Sequence, residues 1–183
     1  MFTTQHAWER WLAANYEQST GIWLKIAKKD AATMTVSYLE ALEEALCYGW
    51  IDGQKKSFDQ EVWLQKFTPR RPNSVWSKVN VDKVNELIAT GRMKPSGMQE
   101  VDAAKENGRW DAAYASQRNF AIPGDFQAEL DKNERAKAFF ETLNRQNRYA
   151  MCYRIQTAAK AQTRQARIEQ FIEMLNNNQK LYP

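Results

Sequence analysis

The chain has 183 residues, 43% of them hydrophobic and 26% charged, with a formal net charge of +4. That length and composition support a packed core without a metal or disulfide staple and argue against a disordered protein. Its 26 basic residues are offset by 22 acidic ones, which reads as a mixed solvated surface. The balance permits a small anionic ligand or a protein partner, while a nucleic-acid partner is not expected.

The two cysteines, Cys47 and Cys152, stand far apart and form no CxxC pair, so reduced thiols of a cytoplasmic protein are expected. Glu9, Arg10 and Glu17 interrupt the first apolar stretch, so no export signal is read there. No run approaches the ~20 apolar residues of a membrane span.

Met1 to Tyr16 has the helical spacing of Trp8, Trp11 and Leu12, and Gln18 to Gly21 stops it. Ile22, Leu24 and Ile26 then alternate with Trp23, Lys25 and Ala27, which predicts a strand over 21–28. Ser37 with Glu40 is a capping-box pattern opening a helix whose apolar row is Leu39, Leu42 and Leu46, with Gly49 placed to end it. Residues 50–56 and 61–68 read as two strands of a hairpin, and Pro69 to Pro72 breaks the second. Asn80 is the expected cap of a helix that Gly91 ends, and Ser96 with Gln99 the expected cap of another ending at Gly108. Residues 115–125 read as a linker around Ile122-Pro-Gly124. Helices follow over 126–131, 134–143, 146–160 and 163–176, the last two being compatible with one bent helix, and the Asn176 to Asn178 tail is expected to fray.

The fold class is therefore α+β. A small, mainly antiparallel sheet of about three strands, covered by helices, is expected over residues 1–116. A helical C-terminal segment, 117–183, is expected to pack on it.

Glu43-Glu-Ala-Leu-Cys-Tyr-Gly-Trp-Ile-Asp52 resembles a signature block of the YdeI/OmpD-associated, bacteriocin-protection family of bacteria. Phe67 to Arg70 with Ser74 to Asn80, and Leu87 to Met93 with Gly97, resemble two further blocks. Ala159-Lys160, Thr163-Arg164 and Arg167-Ile168 resemble its C-terminal signature. The resemblance runs over roughly residues 20–175. It implies protection against bacteriocins and cationic antimicrobial peptides and association with an outer-membrane porin. It transfers no catalytic residue set. A more distant likeness to YdhG-like domains implies frataxin-like iron handling.

The strongest local chemistry is Thr68-Pro-Arg-Arg-Pro-Asn-Ser74. Arg70 and Arg71 offer forked donors suited to carboxylate or phosphate, and a helix start near Ser74 or Ser77 would add backbone donors. Trp50, Trp76 and Asp52 are expected to wall the same spot, with Asp52 holding one guanidinium. The bland alternative pairs these arginines with Glu43, Glu44 or Asp52 inside the fold.

A second basic row, Lys160, Arg164 and Arg167, has helical spacing and runs into Ile168 and Phe171, so its charges need partners, with internal pairing favoured over a bound anion. Cys47 shares a helix face with Glu40 and Glu44, which argues for a raised thiol pKa and against a nucleophile. One histidine, His6, and two separated thiols supply no zinc site and no catalytic triad. No cofactor fingerprint is present. The reading is a non-enzymatic stress or protection protein that binds a small anion or a partner. An enzyme clamping a small anionic substrate with Arg70 and Arg71 is the alternative, and a weak nucleic-acid binder a further one.

Overall fold

In the computed structural model, which describes residues 1–183, the elements are α1 (Gln5–Asn15), β1 (Ile22–Ala27), α2 (Tyr38–Cys47), β2 (Trp50–Ser57), β3 (Val62–Pro69), α3 (Lys78–Ala89), α4 (Pro95–Glu106), α5 (Gly124–Asp131), α6 (Glu134–Thr142), α7 (Arg145–Gln156) and α8 (Ala161–Asn176). The strands form one antiparallel sheet in the order β1-β3-β2, so the fold is α+β, as the sequence predicts. The chain divides into two units: Met1–Trp76 with Asn80–Ala112, and Ser77–Val79 with Ala113–Pro183.

The first unit is built on the alternation of β1 and β3. Leu24 pairs with Gln65 and Ile22 with Phe67; Leu24, Ile26, Gln65 and Phe67 are buried. The opposite face carries Trp23, Lys25, Leu64 and Lys66, all half-buried. In β2 the register shifts between Asp52 and Lys55, leaving a bulge at Gly53 and Gln54. The Gln65 amide donates to the Gly53 and Gln54 carbonyls at 3.0 and 3.3 Å, which explains an amide buried in the core.

Aromatic rings bind α1 to the sheet. Trp8 stacks on Trp11 and tilts against Phe67, and Trp11 meets Trp50 edge-on. The indole N–H of Trp8 donates to Ala41 O at 3.0 Å, and that of Trp50 to Tyr16 O at 3.2 Å. The Ser37–Glu40 capping box is formed in full. Leu42 and Leu46 are buried with Ala41 and Ala45, whereas Leu39, in the first turn, is exposed. Helix α4 begins at Pro95 rather than being capped by Ser96, since proline suits a first helical turn. Helix α3 begins at Lys78, so Asn80 lies inside it, buried.

The end of α2 is crowded. Gly49 has φ +77°, and a Cβ on Gly97 would lie 2.2 Å from the Cys47 carbonyl oxygen. Glycine at 97 is what lets α4 approach α2 backbone to backbone.

In the second unit, α5–α8 enclose Phe126, Leu130, Phe140, Met151, Ile168 and Phe171. Helices α7 and α8 are separate, divided by the extended Lys160. The tail beyond α8 is pinned: buried Asn147 donates to Tyr182 O at 3.2 Å and accepts from Tyr182 N at 2.9 Å. No helix is long and apolar enough to cross a membrane.

Gly97→Ala is expected to destabilise the fold by about 1–3 kcal/mol, towards the upper end because the obstructing atom is backbone. Gly124→Ala, where a Cβ meets nothing within 4 Å, should change stability by less than about 0.5 kcal/mol. Urea melts of the two variants test the contrast.

Candidate functional site

The turn after β3 places the predicted anion-binding residues. Trp50 pairs with Pro69 across the hairpin, and the backbone N–H of Arg70 donates to Gly49 O at 3.0 Å. From there the Arg70 side chain runs inward. It is buried, its guanidinium carbon lies 3.4 Å from the Trp76 ring centroid, and Nη1 donates to Val75 O at 3.4 Å. Trp76 is itself buried and meets Trp110 edge-on. Its indole N–H has no acceptor on the protein.

The neighbours divide. Arg71 is exposed, so the two guanidiniums occupy different environments and do not act as a matched pair. Ser74 Oγ accepts from Arg71 N at 3.0 Å, and Ser74 O accepts from Arg109 Nη1 at 2.8 Å. Ser74 thus closes a turn four residues ahead of α3 instead of opening the helix, because Asn73 to Ser77 remain non-helical. Ser77 belongs to the second unit, where it forms a bridge with Tyr114. Asp52 accepts from the Tyr38 hydroxyl at 2.8 Å, the place where an arginine was expected. Trp50 faces the aromatic core.

The acidic residues of α2 find a partner that sequence spacing did not show. Arg92, just past α3, donates to Glu43 Oε2 at 2.7 Å and to Glu44 Oε1 at 2.6 Å. Glu44, buried, also accepts from Gln5 Nε2 at 2.7 Å, and Lys83 lies 3.4 Å from Glu43. Burial opposes ionisation of Glu43, but the Arg92 and Lys83 hydrogen bonds outweigh it and hold its carboxyl below the usual range. Lys94 pairs with Glu9 at 3.1 Å. Glu43 is therefore engaged, not poised as an acid or base. The Cys47 thiol is pushed up to about 12, by burial first and by Glu44 next. Burial likewise pushes Cys152 up to about 12.

In the second unit the basic row is split by its own helix. Lys160 precedes α8 in extended conformation and does not share a helical face with the other two. Arg164 grips Asp125 through Nε and Nη2 at 2.5 and 2.8 Å and donates Nη1 to Ile155 O at 3.0 Å. Arg167 donates to Arg154 O. Two cations of α8 thus add side-chain donors to carbonyls in the last turn of α7, where the helix dipole favours positive charge. Internal pairing accounts for both arginines.

Residues 1–100, more than half of the chain, match a family model described as Domain of unknown function (DUF8412). The chain belongs to the DUF8412 family. Residues 119–178 match the model described as Bacteriocin-protection, YdeI or OmpD-Associated. The second match covers about a third of the chain and is a likeness of that segment alone. That segment contains the Lys160, Thr163, Arg164, Arg167 and Ile168 signature, while the signature blocks at 43–52, 67–80 and 87–97 fall within the DUF8412 match. No curated protein and no solved structure matches the chain.

Cys47 in the native protein should react with a thiol reagent at neutral pH far more slowly than an unfolded-state cysteine. Labelling of native and urea-unfolded Cys152→Ser protein measures the difference. A second expectation concerns acid. Hydrogen bonding from Arg164, opposed by burial and aided by the Phe126 N–H, holds the Asp125 carboxyl below its ordinary range. A depressed native pKa stabilises the fold above the unfolded value of ~3.9, and this contribution is lost as pH falls through the native value. Asp125→Asn should therefore melt below wild type at pH 7, the gap closing in strong acid.

Proposed function

We propose that this DUF8412 protein is a non-enzymatic stress or protection protein of the cytoplasm that captures a small anionic ligand, with Arg70 over Trp76 as the recognition point. The observation that carries the reading is the buried indole N–H of Trp76, which meets no acceptor on the protein and belongs to the ring on which the Arg70 guanidinium rests. A buried donor left unmet costs about 1–3 kcal/mol, so an acceptor is favoured there. Beside a guanidinium, the oxygen of a carboxylate or phosphate matches best. The turn is held before any ligand arrives, by Gly49 O on Arg70 N and by Arg109 on Ser74 O, which favours a preorganised site. The bacteriocin-protection description of residues 119–178 supports the protective role. A non-enzymatic reading fits the engagement of Glu43 by Arg92 and the protonated state of the Cys47 thiol.

Calorimetric titration with inorganic phosphate and small carboxylates, alongside melting curves, tests this. Arg70→Ala should weaken binding by about 1.5–3 kcal/mol, the worth of a charge-assisted hydrogen bond, with partial rescue by Arg70→Lys. Trp76→Phe keeps a ring under the guanidinium but removes the pyrrole half of the buried indole together with its donor, so it should weaken binding by about 0.5–1.5 kcal/mol and also lower stability, the binding loss being read at a temperature where the variant is folded. If no anion raises the melting temperature of wild type, and Arg70→Ala only lowers stability, the reading is wrong.

A further inference from the structure

The sheet face turned away from α1 carries a pattern that neither match describes. Trp23 pairs across the ladder with Lys66, and Leu64 pairs with Lys25 on one side and Lys56 on the other, so these residues share one face. The Nζ atoms of Lys56 and Lys66 lie 4.6 and 5.8 Å from the Trp23 ring centroid. Lys25 Nζ lies 4.2 Å from the ring of Phe58, which is exposed in the β2–β3 turn. At the same end of the hairpin, Lys55 Nζ lies 4.2 Å from the half-buried Trp63 ring, beside a pocket of about 360 Å³ that Lys28, Lys29 and Ser57 also line.

The face itself carries lysines, and Asp59 in the β2–β3 turn is a negative charge felt by Lys25 and Lys28 at its edge. The lysines lie over rings, while the chain's ion pairs involve other residues. The nearby acids serve the fold: Asp59 accepts from the Glu61 and Val62 N–H groups, each at 2.8 Å, and Glu61 accepts from Thr33 N at 3.0 Å.

We propose that this face, centred on Trp23 with Lys25, Lys56 and Lys66 and extended by Phe58, is a binding platform for single-stranded nucleic acid. Three features select that partner. The rings offer flat π-faces on which an unpaired base can stack, and each face is held by a mobile ammonium that can move to a phosphate as the base arrives. A duplex keeps its base faces inside its own stack, so it would use the lysines alone. An acidic peptide supplies charge but no π-face, and a membrane would call for protruding apolar anchors, of which this face has only Phe58. The overall charge of +4 conceals the platform because acidic residues elsewhere cancel it. The inference does not rest on the anion reading of the Arg70 turn.

The test is fluorescence anisotropy of labelled oligo(dT) and oligo(U) of about 12 nucleotides, within the ~4–16-nucleotide sites of such platforms, titrated with the full chain over a range of salt. Binding should occur at low salt, with a log–log salt slope of about −2 to −3, from three or four lysines at roughly −0.7 each. Lys56→Ala with Lys66→Ala should make that slope shallower by about 1.4. Trp23→Ala should weaken binding about 5- to 100-fold, and Trp23→Phe much less, since it keeps a stacking face. Lys132→Ala, in the second unit, should change nothing. Lys56→Glu alters an exposed side chain, so it reads out binding even if Trp23→Ala impairs folding. The proposal is overturned by no binding at low salt, by equal affinity in Trp23→Ala folded as wild type, by preference for duplex or dextran sulfate, or by attachment to anionic vesicles in place of oligonucleotide.

Discussion

A helix leaves its last carbonyls without partners of its own, and at the end of α2 the chain meets them with backbone from two directions. Tyr48 and Gly49 close the last turn onto Ala45 and Leu46, and Lys94 N donates to Cys47 O at 3.1 Å. Gly49 O accepts from Arg70 N at 3.0 Å. One corner therefore ends α2, starts β2, fixes the exit of β3 and receives α4. Its demands account for glycine at 49, where φ is positive, and at 97, where no Cβ fits. They also bury the Cys47 thiol and aim the Arg70 side chain inward, because its backbone has already been fixed.

Most of this corner was legible in the sequence as local structure. The Ser37–Glu40 box, the Gly49 stop and the alternation of Ile22, Leu24 and Ile26 are short-range signals, and each corresponds to a formed element. The capping reading of Ser96 went the other way for a local reason too: Pro95 suits a first turn better than Ser96 suits a cap in front of it, while Asn80 falls inside α3, which starts at Lys78. Partnerships between distant segments were not legible. Nothing in the spacing of Glu43 and Glu44 names Arg92, which lies 48 residues beyond Glu44. The same distance problem sent Asp52 to Tyr38, where an arginine was expected. The row Lys160, Arg164 and Arg167 needed the segments 146–160 and 163–176 to run on as one bent helix; it lost its first member because α7 ends at Gln156 and α8 starts at Ala161.

Charge shows most clearly how a sequence total misleads. Several acidic residues are consumed in pairs: Glu43 and Glu44 on Arg92, Glu9 on Lys94, Asp125 on Arg164. Buried or half-buried pairs of this kind contribute modestly to stability but leave little uncompensated charge at their positions. The lysines of the sheet have no such partners and lie against rings instead. A mixed composition thus still yields a sheet face rich in lysine, because antiparallel strands sort alternate residues to opposite sides.

The tryptophans make the corresponding point about polarity. Trp8, Trp50 and Trp76 are alike in being buried, and a purely packing view would treat them as equivalent. Their N–H groups separate them. Trp8 donates to Ala41 O and Trp50 to Tyr16 O, so each indole belongs to the core in both its apolar body and its polar edge. Trp76 has the packing without the acceptor, and it is the one on which a guanidinium rests. A fold that satisfies two buried indoles through backbone carbonyls has the means to satisfy a third. Leaving that donor beside a positive charge is costly for stability alone and consistent with an anion as its partner.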